Sequence, residues 1–573
     1  MKSGNLKRSK TLEIFLLTAA VSLAAVVMLV AGCAHLDAIK YNLEPIPKLE
    51  VLDGVVRNTT GGQIEGRVDK SLGILAWEGV RYAKPPLGDL RWKAPREPES
   101  WTGVMETKKS GSICTQGAKG CEDCLFLNIY RPDTVEKNLP VYVWIHGGSN
   151  KAGRAVDLNY FAKDANVVTV AIQYRLGPFG FFKHDALNTG NALDDSGIYG
   201  ILDQIQVLKW VRKNITSFGG DPHNVTVAGE SAGAGNIYGL LIIKEARGLF
   251  HKAICQSPGP SNMTLAEAKN YSVGYVKKLG LTSEGEQLAK DLRAVKTQDL
   301  IKAAPRGVNF RTIVDGKFIK DPFFCMIESG DYTKVPIIIG GNKNEYSLWM
   351  LLGRGPKKKW GKLWRITSKK RPKKVDDILN AEEKKSYALT NAMGGKIWQA
   401  LKGHRAARLL RKHQKDVYVY DFRWGGAKGT DVEFVFGAAH ANEIAYFNYN
   451  ATFDIWAKNR SITKETKAAR EALAKAMRTY YAQFLHTGNP NGKAKIPDWK
   501  PWSNEKDGVK TLNLDASSEP GSSELKVFMT KREYVFKDIL QEIEDMTDET
   551  AKKFSLKIVN DFINGWIKDV PCK

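Results

Sequence analysis

Cysteine is scarce in this chain, seven among 573 residues. A single C-x-x-C, Cys121-Glu122-Asp123-Cys124, stands without a second pair or a histidine at zinc spacing, so no metal site is expected. No segment repeats at a fixed period, which excludes solenoids and propellers. Nucleic-acid signatures are missing too: there are no paired Cys/His ligands and no RNP-type aromatic strand. The formal net charge is nonetheless +24. Its basic residues are spread along the chain, which describes a basic solvated surface and no nucleic-acid partner. Contact with an anionic membrane surface is the functional alternative. The chain does not lack apolar residues. At 43% hydrophobic and 10% aromatic it can bury a large core, and disorder is excluded for most of it. Its length suits two or three average domains, or one large α/β domain with insertions.

The first ten residues contain no acid but do contain Lys2, Lys7, Arg8 and Lys10. An apolar run, FLLTAAVSLAAVVMLVAG, follows over residues 15–32 and ends at Cys33. A basic start, an apolar stretch and small residues before a cut form a secretory signal. Small residues directly before a cysteine resemble a bacterial lipobox, which implies lipid attachment at Cys33. The alternative is an uncleaved signal anchor, since about 18 apolar residues just span a bilayer. Residues 1–32 are therefore expected to be a signal peptide, and residues 33–50 a tether reaching about 50 Å if extended. Residues 51–573 are expected to form one domain with an insertion near 350–400, exported and held at a membrane (bacterial periplasm, outer membrane or cell surface). Export permits disulfides. Cys114 is expected to pair locally with Cys124 or Cys121, and Cys255, in an apolar run, to be a buried thiol.

From residue 51 short apolar pairs alternate with glycines, and Pro85-Pro86 marks a rigid turn, which predicts antiparallel edge strands. Beyond them the pattern alternates between strand and helix. Strands are predicted at 141–147, 167–173, 225–228, 252–256, 335–340 and 417–422, and an amphipathic helix at 200–214. Apolar strands alternating with helices predict a mostly parallel central sheet with helices on both faces. Residues 354–374 form a charge cluster with 11 Lys or Arg and no acid, interleaved with Trp360, Leu363, Trp364 and Ile366. It is either a solvated insertion or a surface that meets anionic lipid or polysaccharide, or part of a lid.

The stretch VTVAGESAG (225–233) carries the chemistry. A strand running into Gly229-Glu230-Ser231-Ala232-Gly233 is a nucleophile elbow, whose sharp turn lifts a serine hydroxyl out of the sheet. A serine hydroxyl is a weak nucleophile and needs a base, an acid that orients the base, and an oxyanion hole. In this chain order, serine then acid then histidine, the base must follow Ser231. His251 is too close along the chain. His404 and His413 lie in the basic helical run GHRAARLLRKHQK and are expected to face solvent, and His486 sits at a helix end. His440, in FGAAHANE after an apolar strand, is the predicted base. Glu345, just beyond the apolar strand that ends in Gly340-Gly341, is the predicted acid. Gly147, Gly148 and Ser149 in VWIHGGSN follow an early strand. With Ala232 they supply the N–H groups of an oxyanion hole, assigned to Gly148, Ser149 and Ala232.

With these residues assembled the chain resembles the type-B carboxylesterase family over residues 51–515. FGGDPHNVTVAGESAG fits the family's serine signature and EDCLFLNIY (122–130) its second signature. GVRYAKPPLGDLRWKAP resembles its N-terminal hairpin and GIYGILDQ its pre-elbow helix. The resemblance implies an α/β-hydrolase fold, a triad of Ser231, Glu345 and His440, and hydrolysis of small carboxylic esters through an acyl-enzyme with no cofactor. The chain departs from the family at Ser149, where a third glycine is usual. A positive φ there would cost on the order of 1–2 kcal/mol. Nor does the stretch between Cys114 and Cys124 hold the choline-binding tryptophan of cholinesterases. An amidase or lipase on the same triad is the neighbouring alternative, and a non-catalytic adhesion protein of the same fold the distant one.

Overall fold

The computed structural model describes residues 40–41, 43–49 and 54–565, apart from 260–261, 305–307, 356–357, 369–372, 450–454 and 457–460. The expected signal at 1–32, the lipid site Cys33 and part of the basic cluster lie outside the described residues. The chain divides into two units, Met1–Lys48 and Leu49–Lys573. In the first, the Lys40 amine lies over the Tyr41 ring, 5.0 Å from its centroid. No described helix is long and apolar enough to cross a membrane.

The second unit is built on a sheet of 11 strands. In chain order they are β1 Arg67–Asp69, β2 Ile74–Arg81, β3 Phe126–Pro132, β4 Leu139–Ile145, β5 Val168–Ile172 and β6 Gly220–Glu230. Then come β7 Lys252–Gln256, β8 Ile337–Asn342, β9 Val417–Phe422, β10 Thr511–Leu514 and β11 Phe528–Thr530. Their spatial order is β1-β2-β3-β5-β4-β6-β7-β8-β9-β10-β11. From β5 across to β10 every neighbouring pair is parallel. The pairs at both edges are antiparallel. The central strands are fully buried, as Ile337-Ile338-Ile339 and Val417–Phe422 show. Helices cover both faces of such a sheet, so its strands read as continuous apolar runs rather than alternating ones.

The predicted strands 252–256 and 417–422 coincide with β7 and β9, and the others differ by a few residues at their ends. The elbow strand differs most. β6 begins at Gly220, because Gly220 pairs with Leu139 before the register shifts ahead of Val141–Val225. The predicted helix at 200–214 is Tyr199–Asn214, here α1. It is buried along nearly its whole surface, since it lies between the sheet and outer segments rather than at solvent.

Residues 347–398 add a helical insertion beside the strand ends. Its core gathers Tyr346, Trp360, Leu363, Ile366, Tyr387 and Trp398 with Phe436 and the C-terminal helices. The described part of the basic cluster, Lys358–Thr367, is a 3₁₀ helix with Trp360, Leu363 and Ile366 buried. Lys358, Lys362 and Arg365 stay exposed. All three apolar anchors are thus spaced to face inward at i, i+3 and i+6, and the segment is seated rather than loose.

Cys114 and Cys124 form a disulfide, with Cα atoms 4.9 Å apart. Cys121 is a free thiol paired with Cys114 only through a backbone bridge. Cys255 is free and buried, and burial pushes its thiol pKa up.

Candidate active site

Ser231 sits between β6 and the helix Ala232–Ile242 (α2) with φ 55° and ψ −117°. This conformation is strained for a residue with a Cβ and is held by its surroundings. The Ser231 N–H donates to Gln256 O at 3.0 Å, tying the turn to β7. The turn is closed against β4: a Cβ added at Gly233 would lie 2.1 Å from Ile145 O. Only glycine lets α2 start that close to the sheet. The Ala232 N–H then opens the first turn of α2, where amides have no intrahelical partner.

Glu345 and His440 come from separate loops at the ends of β8 and beyond β9, and the structure brings them together. His440 Nδ1 lies 2.5 Å from Glu345 Oε2. The other Glu345 oxygen accepts the Asn342 N–H at 2.7 Å, which fixes the carboxylate in a fully buried place. Asn342 also joins the two loops. Its side-chain amide donates to Ala439 O at 2.7 Å and to the Glu443 carboxylate. The imidazole is bounded by the Trp349 and Trp398 rings, with centroids 5.7 and 5.0 Å away. The Trp456 indole donates to His440 O. These contacts leave the ring one orientation, with Nδ1 on Glu345 and Nε2 on the Glu230 side. Nε2 has no hydrogen-bond partner among the described residues.

Two further carboxylates reach this place. Glu230 Oε1 lies 3.1 Å from His440 Nε2, with neither atom in an aligned hydrogen bond. Glu443 accepts from Ser257 Oγ at 3.1 Å as well as from Asn342. Burial pushes the Glu230 carboxyl well above its ordinary range, and the nearby Glu443 and Glu345 charges add to that against the opposing His440. Burial together with the Glu345 charge pushes Glu443 up to about 7. Burial alone would lower His440, but the carboxylates of Glu230 and Glu345 outweigh it and carry it up to about 9. The Glu230 and His440 shifts describe one proton shared between neighbours. On Glu230 it leaves the imidazole neutral; on Nε2 it makes an ion pair.

The loop after β4 carries the remaining predicted residues. Ser149 adopts φ 58° and Asn150 φ 54°, both in the left-handed region. The Ser149 cost anticipated from sequence therefore applies. Asn tolerates this region better, and Asn150 is also anchored by its side chain. It bonds Asn236 of α2, Phe310 O and the Tyr174 hydroxyl at 3.0–3.1 Å. The N–H groups of Gly148, Ser149 and Ala232 donate to no backbone acceptor outside regular elements among the described residues. His146 begins the loop, stacked on Tyr174 at 4.5 Å and neutral, burial taking its pKa down to about 4. Gly153 closes it with φ 128°, where a Cβ would lie 2.1 Å from His146 Nδ1. Gln116, inside the disulfide loop, grips Gly153 from outside: its amide donates to Gly153 O at 2.7 Å and accepts from Gly153 N at 3.0 Å.

Ser231, His440, Gly148 and Ser149 open together into one cavity of about 480 Å³. Its walls are mainly apolar, with Trp144, Val156, Leu348, Trp349, Ile444 and Trp456. No group of His, Cys, Asp or Glu among the described residues could hold a metal ion.

Two of the other histidines correct the sequence reading. His404 does not face solvent. It is buried, accepts the Tyr534 N–H at 2.8 Å, and stacks on that ring at 5.3 Å. The helical run turns it inward, and its basic neighbours hid that face. His413 is half-buried and bonds Glu328 O at 2.8 Å. His486 is exposed, bonding Ala165 O at 3.1 Å.

Sequence reasoning did not single out Glu443, Asn342, Asn150 or Gln116, or give Glu230 a role. Glu230 stood inside the elbow motif and Glu443 three residues past His440. Only those spacings could have drawn attention to them.

A mostly parallel twisted sheet with an elbow serine at its strand ends, followed in the chain by a paired acid and histidine, is an α/β-hydrolase. The chain belongs to the carboxylesterase family, whose model matches residues 53–536. It is 33% identical over 509 residues to para-nitrobenzyl esterase of Bacillus subtilis, covering 83% of this chain and 99% of that one. It is 31% identical over 488 residues to human carboxylesterase 5A, covering 77% and 83%. Among solved structures it resembles a PNB esterase with a TM-score of 0.66 at 27% identity, covering 85% of this chain and 99% of that one. The carboxylesterase EST55 of Geobacillus stearothermophilus gives 0.67 at 28% identity, covering 83% and 98%. The chain is a carboxylic ester hydrolase.

Proposed function

We propose that this esterase works through an acyl-enzyme on Ser231, with His440 as general base and Glu345 as its orienting acid. The observation that carries the proposal is the imidazole itself. Its Nδ1 is bound to a buried carboxylate, its Nε2 has no aligned hydrogen-bond partner among the described residues, and the residue lines the same cavity as Ser231.

The chemistry follows from that placement. Ser231 Oγ attacks the ester carbonyl carbon while Nε2 takes its proton. The Glu345 carboxylate, on Nδ1–H, stabilises the imidazolium that forms. The negative charge on the carbonyl oxygen falls to the N–H groups of Gly148, Ser149 and Ala232. Nε2–H then gives its proton to the departing alcohol. Water repeats the sequence on the acyl-enzyme and releases the acid. The apolar walls suit the hydrocarbon parts of a small ester. Replacing Ser231 or His440 by Ala should each lower kcat on p-nitrophenyl hexanoate about 10⁴-fold or more, and the double variant should lose little beyond that. Retention of wild-type kcat by Ser231→Ala contradicts the proposal.

We further propose that residues 1–32 direct export and that Cys33 carries lipid, which would hold the enzyme at a membrane. The basic start, the apolar run and the small residues before Cys33 support this reading. Fatty-acid labelling of the expressed chain should be lost in Cys33→Ser. Labelling that persists contradicts the lipid site.

A further inference from the structure

One cavity wall carries a charge that the proposed chemistry does not use. Arg154 lies five residues past Ser149, on the stretch that follows the oxyanion loop, and lines the cavity shared by Ser231 and His440. Its side chain is exposed, and it has no ion-pair or hydrogen-bond partner among the described residues. Its charge acts on the Tyr449 hydroxyl, on the same cavity wall. The two carboxylic acids closest to the reaction, Glu230 and Glu345, are buried beside the imidazole. The cavity walls are otherwise mainly aromatic and aliphatic. Among the described residues no anion satisfies this guanidinium, and its planar donor fork fits a carboxylate.

The segment that continues from this wall has the same sign. The wall residues Leu348, Trp349 and Leu352 lead along the chain into the seated helix Lys358–Thr367. Its Lys358, Lys362 and Arg365 point to solvent while its apolar residues are buried. Cationic side chains next to a low-dielectric cleft draw anions towards it.

We propose that Arg154 is a specificity-determining residue and that the preferred substrates are carboxylic esters carrying a free carboxylate, which Arg154 binds while the ester carbonyl sits at Ser231. The inference rests on the reading of Ser231 as the nucleophile, so its test contains a neutral ester of the same length. Two anionic probes place the charge on either arm of the ester: mono-p-nitrophenyl adipate on the acyl side, and 4-(hexanoyloxy)benzoate on the alcohol side. p-Nitrophenyl hexanoate is the neutral reference.

With one of the two anionic probes, the wild-type ratio of kcat/KM to that of hexanoate should fall roughly tenfold or more in Arg154→Gln, mostly through KM, and recover in part in Arg154→Lys. Lys137→Gln removes one exposed positive charge ahead of β4, at the opposite end of that strand from the oxyanion loop. That variant should leave the ratio in place, which separates a local contact from attraction by net charge. Equal falls in Arg154→Gln and Lys137→Gln, or ratios that do not move in Arg154→Gln, overturn the inference while the esterase reading stands. A wild-type enzyme that hydrolyses none of the three esters overturns both.

Discussion

Three carboxylates, Glu230, Glu345 and Glu443, surround one imidazole where solvent hardly reaches. Like charges this close in a poorly solvated place cannot all be ionised. The hydrogen bonds decide which one keeps its charge. Glu345 has a backbone N–H and His440 Nδ1, and Glu443 has Asn342 and Ser257. Among the described residues Glu230 Oε1 has no hydrogen-bond donor. Its charge is balanced only by the His440 imidazolium 3.1 Å away, so ionised Glu230 opposes the neutral imidazole that acts as a base. The sign of a mutational effect follows. Ionised Glu230 raises the His440 pKa, so Glu230→Gln lowers it, and the base is free at lower pH. The acid limb of kcat/KM against pH, measured on a neutral ester, should move to lower pH in Glu230→Gln. A limb that stays fixed or moves up contradicts this account. Of these groups only Glu345 and His440 were legible in the sequence, because Glu345 sits just past an apolar strand and His440 follows a later one in the required chain order. Glu443 meets Asn342 across 101 residues of chain, and no local pattern announces a contact of that span.

At the scale of elements, the strands position the chemistry and the loops tune it. The strands were legible because a sheet covered on both faces writes itself as uninterrupted Val and Ile runs. The ends of β6 were not, because the Gly220–Asn224 stretch joins the sheet through register and not through an apolar pattern. The loops were less legible still. The oxyanion loop holds two non-glycine residues at positive φ, and what holds them is tertiary: Asn150 on α2, His146 on Tyr174, and Gly153 in the grip of Gln116. The disulfide loop thereby holds, from outside, the loop proposed to form the oxyanion hole. Gln116→Ala should lower kcat roughly tenfold or more with a smaller change in KM, since a displaced N–H weakens the transition state more than the bound ester. A change confined to KM, or none, shows that the loop holds its shape without Gln116.

For the whole molecule, the net charge of +24 takes a local meaning at the cavity, whose wall carries the exposed Arg154. The sequence marked the basic cluster but not its seat, because Trp360 and Ile366 find their partners in helices far along the chain. Sheet, insertion and disulfide loop converge on one cavity, and the central claim concerns the serine within it. Its most direct test is labelling of the intact protein with a fluorophosphonate, followed by digestion and mapping of the modified peptide by mass spectrometry. The account predicts one adduct per chain, on Ser231, formed by the wild type and lost in His440→Ala. An adduct on another residue, or none under conditions that label a control esterase, would contradict it.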